Sequence, residues 1–167
     1  GMIKKACIIA NGRLGLIKKE IVDAVSQACD EVIEGKLDDQ FIVDMIQGGA
    51  GTSTNMNANE VIANRALEIM GRPKGEYTTV SPNDHINKCQ STNDTYPSSG
   101  KLGMYLDHFE LVAELEKLID AFEKKAEEFK DVLKMGRTQL QDAVPMTLGQ
   151  EFHGYASTLR ESLEQIK

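Results

Sequence analysis

Tryptophan is absent from this 167-residue chain, and aromatic residues make up only 5% of it. Any core must therefore be aliphatic, built from Leu, Ile, Val, Met and Ala. Cysteine is scarce as well: Cys7, Cys29 and Cys89 are odd in number and widely spaced. No C-x-x-C pair or His/Cys cluster accompanies them, which argues against a disulfide framework and a zinc site and for a cytosolic setting. Cys29 falls on the apolar face of a predicted helix and packs there. Cys89 lies beside a polar motif and is read as buried and inert. No apolar run approaches a membrane span, and no basic stretch leading into an apolar one marks a signal peptide. Positive charge is in deficit, with 19 Lys and Arg against 26 Asp and Glu. That net charge of −7 argues against nucleic-acid or membrane-surface binding.

What remains is 41% hydrophobic and 27% charged, the profile of a globular protein long enough for a real core. Residues 3–10 are apolar behind two lysines and form a possible helix. Ile21, Ala24, Val25, Ala28, Cys29, Val32 and Ile33 repeat at helical spacing over 18–34, and Gly35 stops them. Asp38 or Asp39 is a candidate cap for a short helix through Phe41, Ile42 and Met45. A helix from about Asn57 to Met70 follows, with Asn57 and Glu60 resembling a capping box and Gly71 and Pro73 ending it. Residues 72–97 form a long polar connection in which Thr78, Thr79 and Val80 are a possible β segment. Leu102, Leu106, Phe109, Ala113, Leu115, Ile119, Phe122, Ala126, Phe129 and Leu133 then step through one long helix from about Ser98. Its apolar stripe needs covering by other helices, from this chain or from others. A last helix is expected to open at Pro145 and to run on to Lys167 without a stop. The fold class is thus all-α.

Three polar islands interrupt these helices. Gly48-Gly49-Ala50-Gly51-Thr52-Ser53-Thr54-Asn55-Met56-Asn57-Ala58-Asn59-Glu60 empties a glycine turn into a helix start. Gln90-Ser91-Thr92-Asn93-Asp94 precedes Pro97, with Asn93 or Asp94 as the expected helix cap. Gly136-Arg137-Thr138-Gln139-Leu140-Gln141-Asp142 lies in a predicted connection. Taken alone, the first is most simply a glycine turn with capping residues, and the second a capped turn. Together they share one inventory: rich in Thr, Ser, Asn and Gln, poor in His, Cys, Asp and Glu. That is wrong for a metal site or a Ser-His-Asp nucleophile. It suits holding an anion, because helix starts offer N–H groups and neutral donors bring no competing charge. Of the histidines, His108 and His153 fall in helical patterns and read as structural, while His85 stays open.

These islands, with Pro82-Asn83-Asp84-His85, resemble the aspartase/fumarase superfamily, in the same order and through nearly the whole chain. The resemblance implies reversible conversion of L-aspartate to fumarate and ammonia, without an organic cofactor and in the cytoplasm. It implies part of the family's fold: two long helices of a central bundle (residues 91–167, truncated) behind the end of a first domain (residues 1–90). Carried over residue by residue, Thr52, Ser91 and Thr92 would bind substrate carboxylate oxygens. Asn93 and Thr138 would orient the amino group and the rest of the substrate. Gln139 stands where fumarases and some aspartases have His, so no histidine role transfers. Asn83 and Asp84 match part of a second anion site in fumarases, where the pattern is His-Pro-Asn-Asp; here it is Ser81-Pro82-Asn83-Asp84. Both departures lean toward aspartase.

The family's general-base serine sits on a Gly-Ser-Ser-x-Met-Pro-x-Lys-x-Asn loop that does not occur in the sequence. Catalytic residues are therefore expected to be missing, and the chain reads as a fragment inactive on its own. The full-length family forms a tetramer, and a homo-oligomer is expected. The alternatives are a fragment of a class II fumarase and a non-catalytic helical oligomerisation module.

Overall fold

The computed structural model describes residues 1–44, 46 and 50–167. They divide into two compact units, Gly1–Leu102 and Gly103–Lys167.

In the first unit, α1 (Met2–Arg13), α2 (Lys19–Ile33) and α3 (Thr52–Ile69) pack together. The expected stripe on α2 is the buried one, with Ile21, Ala24, Val25, Ala28 and Cys29 all inward. Ile62, Ala63, Ala66 and Leu67 of α3 meet it, and Ile8, Val80 and Ile86 close the core. Full burial of an aliphatic side chain of this size is worth about 1.5–3 kcal/mol, so this aliphatic cluster suffices without tryptophan. Both α2 and α3 stop as expected, at Gly35 and Gly71. In each, the second residue past the cap donates its N–H back across the last turn: Lys36 to the Glu31 carbonyl at 3.0 Å and Arg72 to that of Leu67 at 2.8 Å. Arg65 forks onto Glu31 at 2.5 and 3.0 Å, clamping α3 to α2.

Several boundaries differ from the sequence reading. Helix α3 begins at Thr52, five residues before Asn57, and its N-cap is Gly51. Asn57 lies inside the helix and donates to the Gln40 carbonyl, so the Asn57/Glu60 capping box does not form. Asp38–Gln40 make a single 3-10 turn, while Phe41 and Ile42 have no regular structure. Met45, Gln47, Gly48 and Gly49 lie outside the described residues. Thr78, Thr79 and Val80 form turns rather than a strand, and Pro82–Ile86 close a π-helical turn.

Helix α4 (Thr92–Glu128) starts six residues before the expected Ser98, with Pro97 inside it. The Ser91 hydroxyl accepts the Asn93 N–H at 3.2 Å, so Ser91, rather than Asn93 or Asp94, does the capping. Pro97 forgoes one helical hydrogen bond in the second turn, close enough to the start for the helix to persist.

In the second unit, the remainder of α4 meets α5 (Leu148–Ile166) through Ile119, Ala156 and Leu163. Phe122, Phe129, Phe152 and Tyr155 stack beside them, with ring centroids 5.5–6.0 Å apart. Gly149 is required there, because a Cβ would stand 2.8 Å from the Lys130 Cα. His153 accepts a structural place, its Nδ1 3.0 Å from Glu123, which also receives Arg160 at 2.8 Å.

The fold is mostly helical, but with a feature the all-α reading lacks. Leu133–Thr138 (β1) and Gln141–Thr147 (β2) form an antiparallel hairpin. Pro145 therefore sits in a strand opposite Met135 instead of opening a helix. A two-stranded sheet consists only of edges, where the missing N–H does no damage. The helix opens at Leu148, behind a full capping box of Thr147 and Gln150. No helix among the described residues is long and apolar enough to cross a membrane.

Candidate functional site

The first two polar islands are brought together in the first unit as two adjacent helix starts. Gly51 takes φ +81°, and a Cβ there would collide with the Tyr96 ring of α4. Only glycine combines that left-handed conformation with so close an approach. The contact seats the first turn of α3, carrying Thr52, against the first two turns of α4, which carry Thr92 and Asn93. Thr52, Ser91 and Asn93 are exposed and Thr92 is half-buried. The opening N–H groups of a helix lack carbonyl partners within it and carry the positive end of its dipole. Two such ends side by side, ringed by hydroxyls and a carboxamide, form a surface built for an anion.

Beneath that surface lies a buried polar network that composition and periodicity do not announce. Asn87 Oδ1 accepts three donors: Lys4 Nζ at 3.1 Å, Asn55 Nδ2 at 3.1 Å and Asn59 Nδ2 at 3.2 Å. Lys4 also donates to Gln90 Oε1 at 2.9 Å. Asn55 Nδ2 donates onward to Thr92 Oγ1 at 3.0 Å, and Asn55 Oδ1 accepts the Thr95 hydroxyl at 3.2 Å. Asn55 and Asn59 are buried on α3 along with Ile62, Ala63 and Ala66. Asparagines at i and i+4 on a helix's buried face are the signal that could have found them, because a buried amide demands partners. Lys4 is only 5% exposed, and its partners here are neutral amide oxygens. Burial pulls its pKa down to about 8.

Next to the network, Cys89 adopts φ +57°. The carbonyl of Lys88, just before it, is held by Asn11 Nδ2 at 3.0 Å and Gln90 Nε2 at 3.3 Å. Cys89 is exposed, against the expectation that it is buried, because the left-handed turn points it away from the core. Cys29 is buried as expected, and burial raises its thiol pKa to about 11.

Asn83 and Asp84 sit exposed on the π-helical turn. Ser81 caps it: its hydroxyl accepts the Asp84 N–H at 3.0 Å and donates to the Asp84 carboxylate at 3.0 Å. His85 Nδ1 accepts the Ser81 N–H at 2.9 Å, which leaves the ring proton on Nε2. Burial lowers its pKa. His85 lines a cleft of about 410 Å³ with Ile17, Lys18, Thr78 and Thr79.

The third island lies in the second unit. Thr138 and Gln139 stand at the tip of the hairpin, exposed. Gln139 and Leu140 both have positive φ, +48° and +64°, which defines a two-residue type I′ turn between Thr138 and Gln141. Among the described residues no side-chain hydrogen bond holds either Thr138 or Gln139. Among the described residues, Cys89, Gln139 and Leu140 are the non-glycine ones with positive φ, and all three fall within polar islands or next to one, where strain is characteristic of working surfaces.

Three comparisons bear on this geometry. The family described as "Lyase" matches residues 1–167. Over 164 residues the chain is 60% identical to aspartate ammonia-lyase of Helicobacter pylori, covering 98% of this chain and 35% of that protein. The crystal structure of fumarate lyase:delta crystallin from Brucella melitensis in native form aligns with a TM-score of 0.86 at 55% identity, over 98% of this chain and 37% of that one. Recombinant class II fumarase from Schistosoma mansoni aligns with a TM-score of 0.83 at 41% identity, over 98% and 34%. The chain thus spans about a third of the length of these relatives.

Proposed function

The chain belongs to the lyase family, and from that premise we propose that it is part of an aspartate ammonia-lyase, the enzyme that reversibly converts L-aspartate to fumarate and ammonia. The observation that carries this reading is the pairing of the α3 and α4 helix starts, with Gly51 packed on Tyr96 and Asn55 bonded to Thr92. Removing a proton from the carbon beside a carboxylate places two negative charges on one aci-carboxylate group. A site that stabilises it needs preorganised donors and no competing anion. Thr52, Ser91 and Thr92 supply such donors for the carboxylate oxygens. Asn93 and, in the complete enzyme, Thr138 orient the amino group and the rest of the substrate, with Gln139 as a further substrate-binding residue. Asn83 and Asp84 form part of a second anion site. Residues 1–90 then belong to a first domain and 91–167 to the beginning of a central helical bundle.

The aspartase reading is favoured over the fumarase one by the higher identity, 60% to an ammonia-lyase against 41% to a class II fumarase, and by the resemblance at Ser81, where fumarases usually carry His, with Gln139, where fumarases and some aspartases do, leaning the same way. Exposed Met104, Tyr105, Phe109 and Leu111 on α4 support a homo-oligomer, a tetramer in the complete cytoplasmic enzyme.

No Gly-Ser-Ser-x-Met-Pro segment occurs among the 167 residues, so this chain holds substrate without supplying the base. Purified chain mixed with L-aspartate is expected to give no fumarate absorbance, and steady growth of that absorbance would overturn the assignment of roles. In the protein that contains this chain together with its serine loop, aspartate should be turned over and malate should not. The reverse preference would establish the fumarase reading.

A further inference from the structure

The buried network has a direction, and Lys4 sets it. An ammonium group donates and cannot accept, so Asn87 must turn its oxygen, not its NH₂, toward Lys4. That same oxygen also faces Asn55, so Asn55 must answer with its NH₂. The second hydrogen of that NH₂ points at Thr92 Oγ1, which must therefore accept. A threonine hydroxyl carries one proton. Among the described residues nothing accepts it, so that proton is left for a group outside. Two further contacts hold the same polarity: the Thr95 hydroxyl donates to Asn55 Oδ1 at 3.2 Å, and Gln90, its oxygen turned to Lys4, donates to the Ile86 carbonyl at 2.7 Å.

We propose that Lys4 is a positioning residue for the anion site: through Asn87 and Asn55 it fixes the polarity of Thr92, so that the Thr92 hydroxyl accepts from Asn55 on its inner side and presents its one proton outward. The anion at which it is aimed rests on the aspartate ammonia-lyase reading; the polarity relay itself does not. The relay begins on α1, crosses the turn after the π-helical segment, passes through α3 and ends on α4. It thereby ties the two helix starts to one buried cation. A neutral threonine so held is preorganised toward a carboxylate, because Asn55 already donates to its oxygen from within and its one proton finds no inward acceptor among the described residues.

The experiment reads the side-chain amide protons of Asn55 by NMR hydrogen exchange in the ligand-free chain. Both should be protected in the wild type and in Lys4→Arg, which remains a pure donor. In Lys4→Met they should exchange faster by roughly tenfold or more, while backbone amides at Ile62 and Ala66 keep their protection. Unprotected Asn55 protons in the wild type, or unchanged protection in folded Lys4→Met, would overturn the relay. If Lys4→Met does not fold, Asn87→Asp decides. It remains an acceptor, so Asn55 protection must survive, and its loss in a folded protein would refute the proposal. A second arm titrates fumarate: Lys4→Arg, which keeps both the charge and the donor, should retain binding. Asn55→Asp, which forces the Thr92 proton inward, should lose roughly tenfold, the equivalent of about one hydrogen bond. Protected Asn55 protons with no fumarate binding to the wild type would count against the functional reading and leave the relay standing. Fumarate affinity unchanged in Asn55→Asp would overturn the role given to Thr92.

Discussion

Two polar islands of nearly the same composition are built in opposite ways. The Ser91–Thr92 island rests on a buried scaffold in which Lys4, Asn87 and Asn55 dictate how a surface hydroxyl points. The Thr138–Gln139 island is the tip of a hairpin, held by backbone pairing and one exposed ion pair, Arg137 to Asp142 at 3.3 Å, and strained at two successive residues. The first is preorganised by its own chain. In the second, no side-chain hydrogen bond among the described residues reaches Thr138 or Gln139 themselves. Similar residue inventories therefore conceal different energetics, and substitution should expose them.

The largest effect is expected at the hub of the scaffold. Asn87→Leu would leave the donors of Lys4, Asn55 and Asn59 without their shared acceptor. Unpaired buried donors, one of them charged, should cost about 3–5 kcal/mol of stability, measured by urea unfolding. Gln139→Ala at the hairpin tip should change stability by no more than about 0.5 kcal/mol. Equal costs at the two sites would dissolve the contrast between them.

A pH effect comes next. Lys4 titrates near 8 in the folded chain and at about 10.4 unfolded, so between those values the unfolded chain binds more protons and folding gains stability as pH rises. Its contribution is fully present above the unfolded pKa and is lost as pH falls through the folded one, for a span of up to about 3 kcal/mol. The raised thiol of Cys29 acts in the opposite sense over an overlapping range, so the quantity to follow is the stability of wild type minus that of Lys4→Met. That difference should climb from pH 8 to 10.5. A flat difference would remove the buried cation from the account.

At the hairpin tip a gain is expected. Leu140 sits at φ +64° and wholly exposed. Leu140→Gly should relieve the left-handed conformation and stabilise the hairpin by about 1 kcal/mol, visible as a higher Tm. A loss of stability there would mean that Leu140 is anchored in a way the turn geometry does not show.

Legibility in the sequence followed the same divide. The stripe on α2, the stops at Gly35 and Gly71 and the helical character of the whole chain were readable because each is a local, periodic signal. The hairpin was not, because its turn is Gln-Leu where type I′ turns favour Asn-Gly, and Pro145 imitates a helix start. The capping box at Thr147 was present in the residues but overshadowed by that proline. The early starts of α3 and α4 were hidden because Gly51 and Ser91, the residues that cap them, lie inside motifs read for chemistry. As for the site, its hydroxyls stood out as polar islands, whereas Lys4, Asn55 and Asn87 were invisible as a group. They are separated by up to 83 positions, and only the packing of α1 and α3 against the π-helical turn unites them.

The central claim is that the paired starts of α3 and α4 form a carboxylate-binding surface. The most direct measurement is an NMR titration of the 167-residue chain with fumarate, following backbone amides. The account predicts saturable shifts concentrated at Thr52, Ser91, Thr92 and Asn93, lost in Thr92→Val and retained in Thr92→Ser. Saturable shifts elsewhere with none at these four residues, or equal shifts in Thr92→Val, would contradict it.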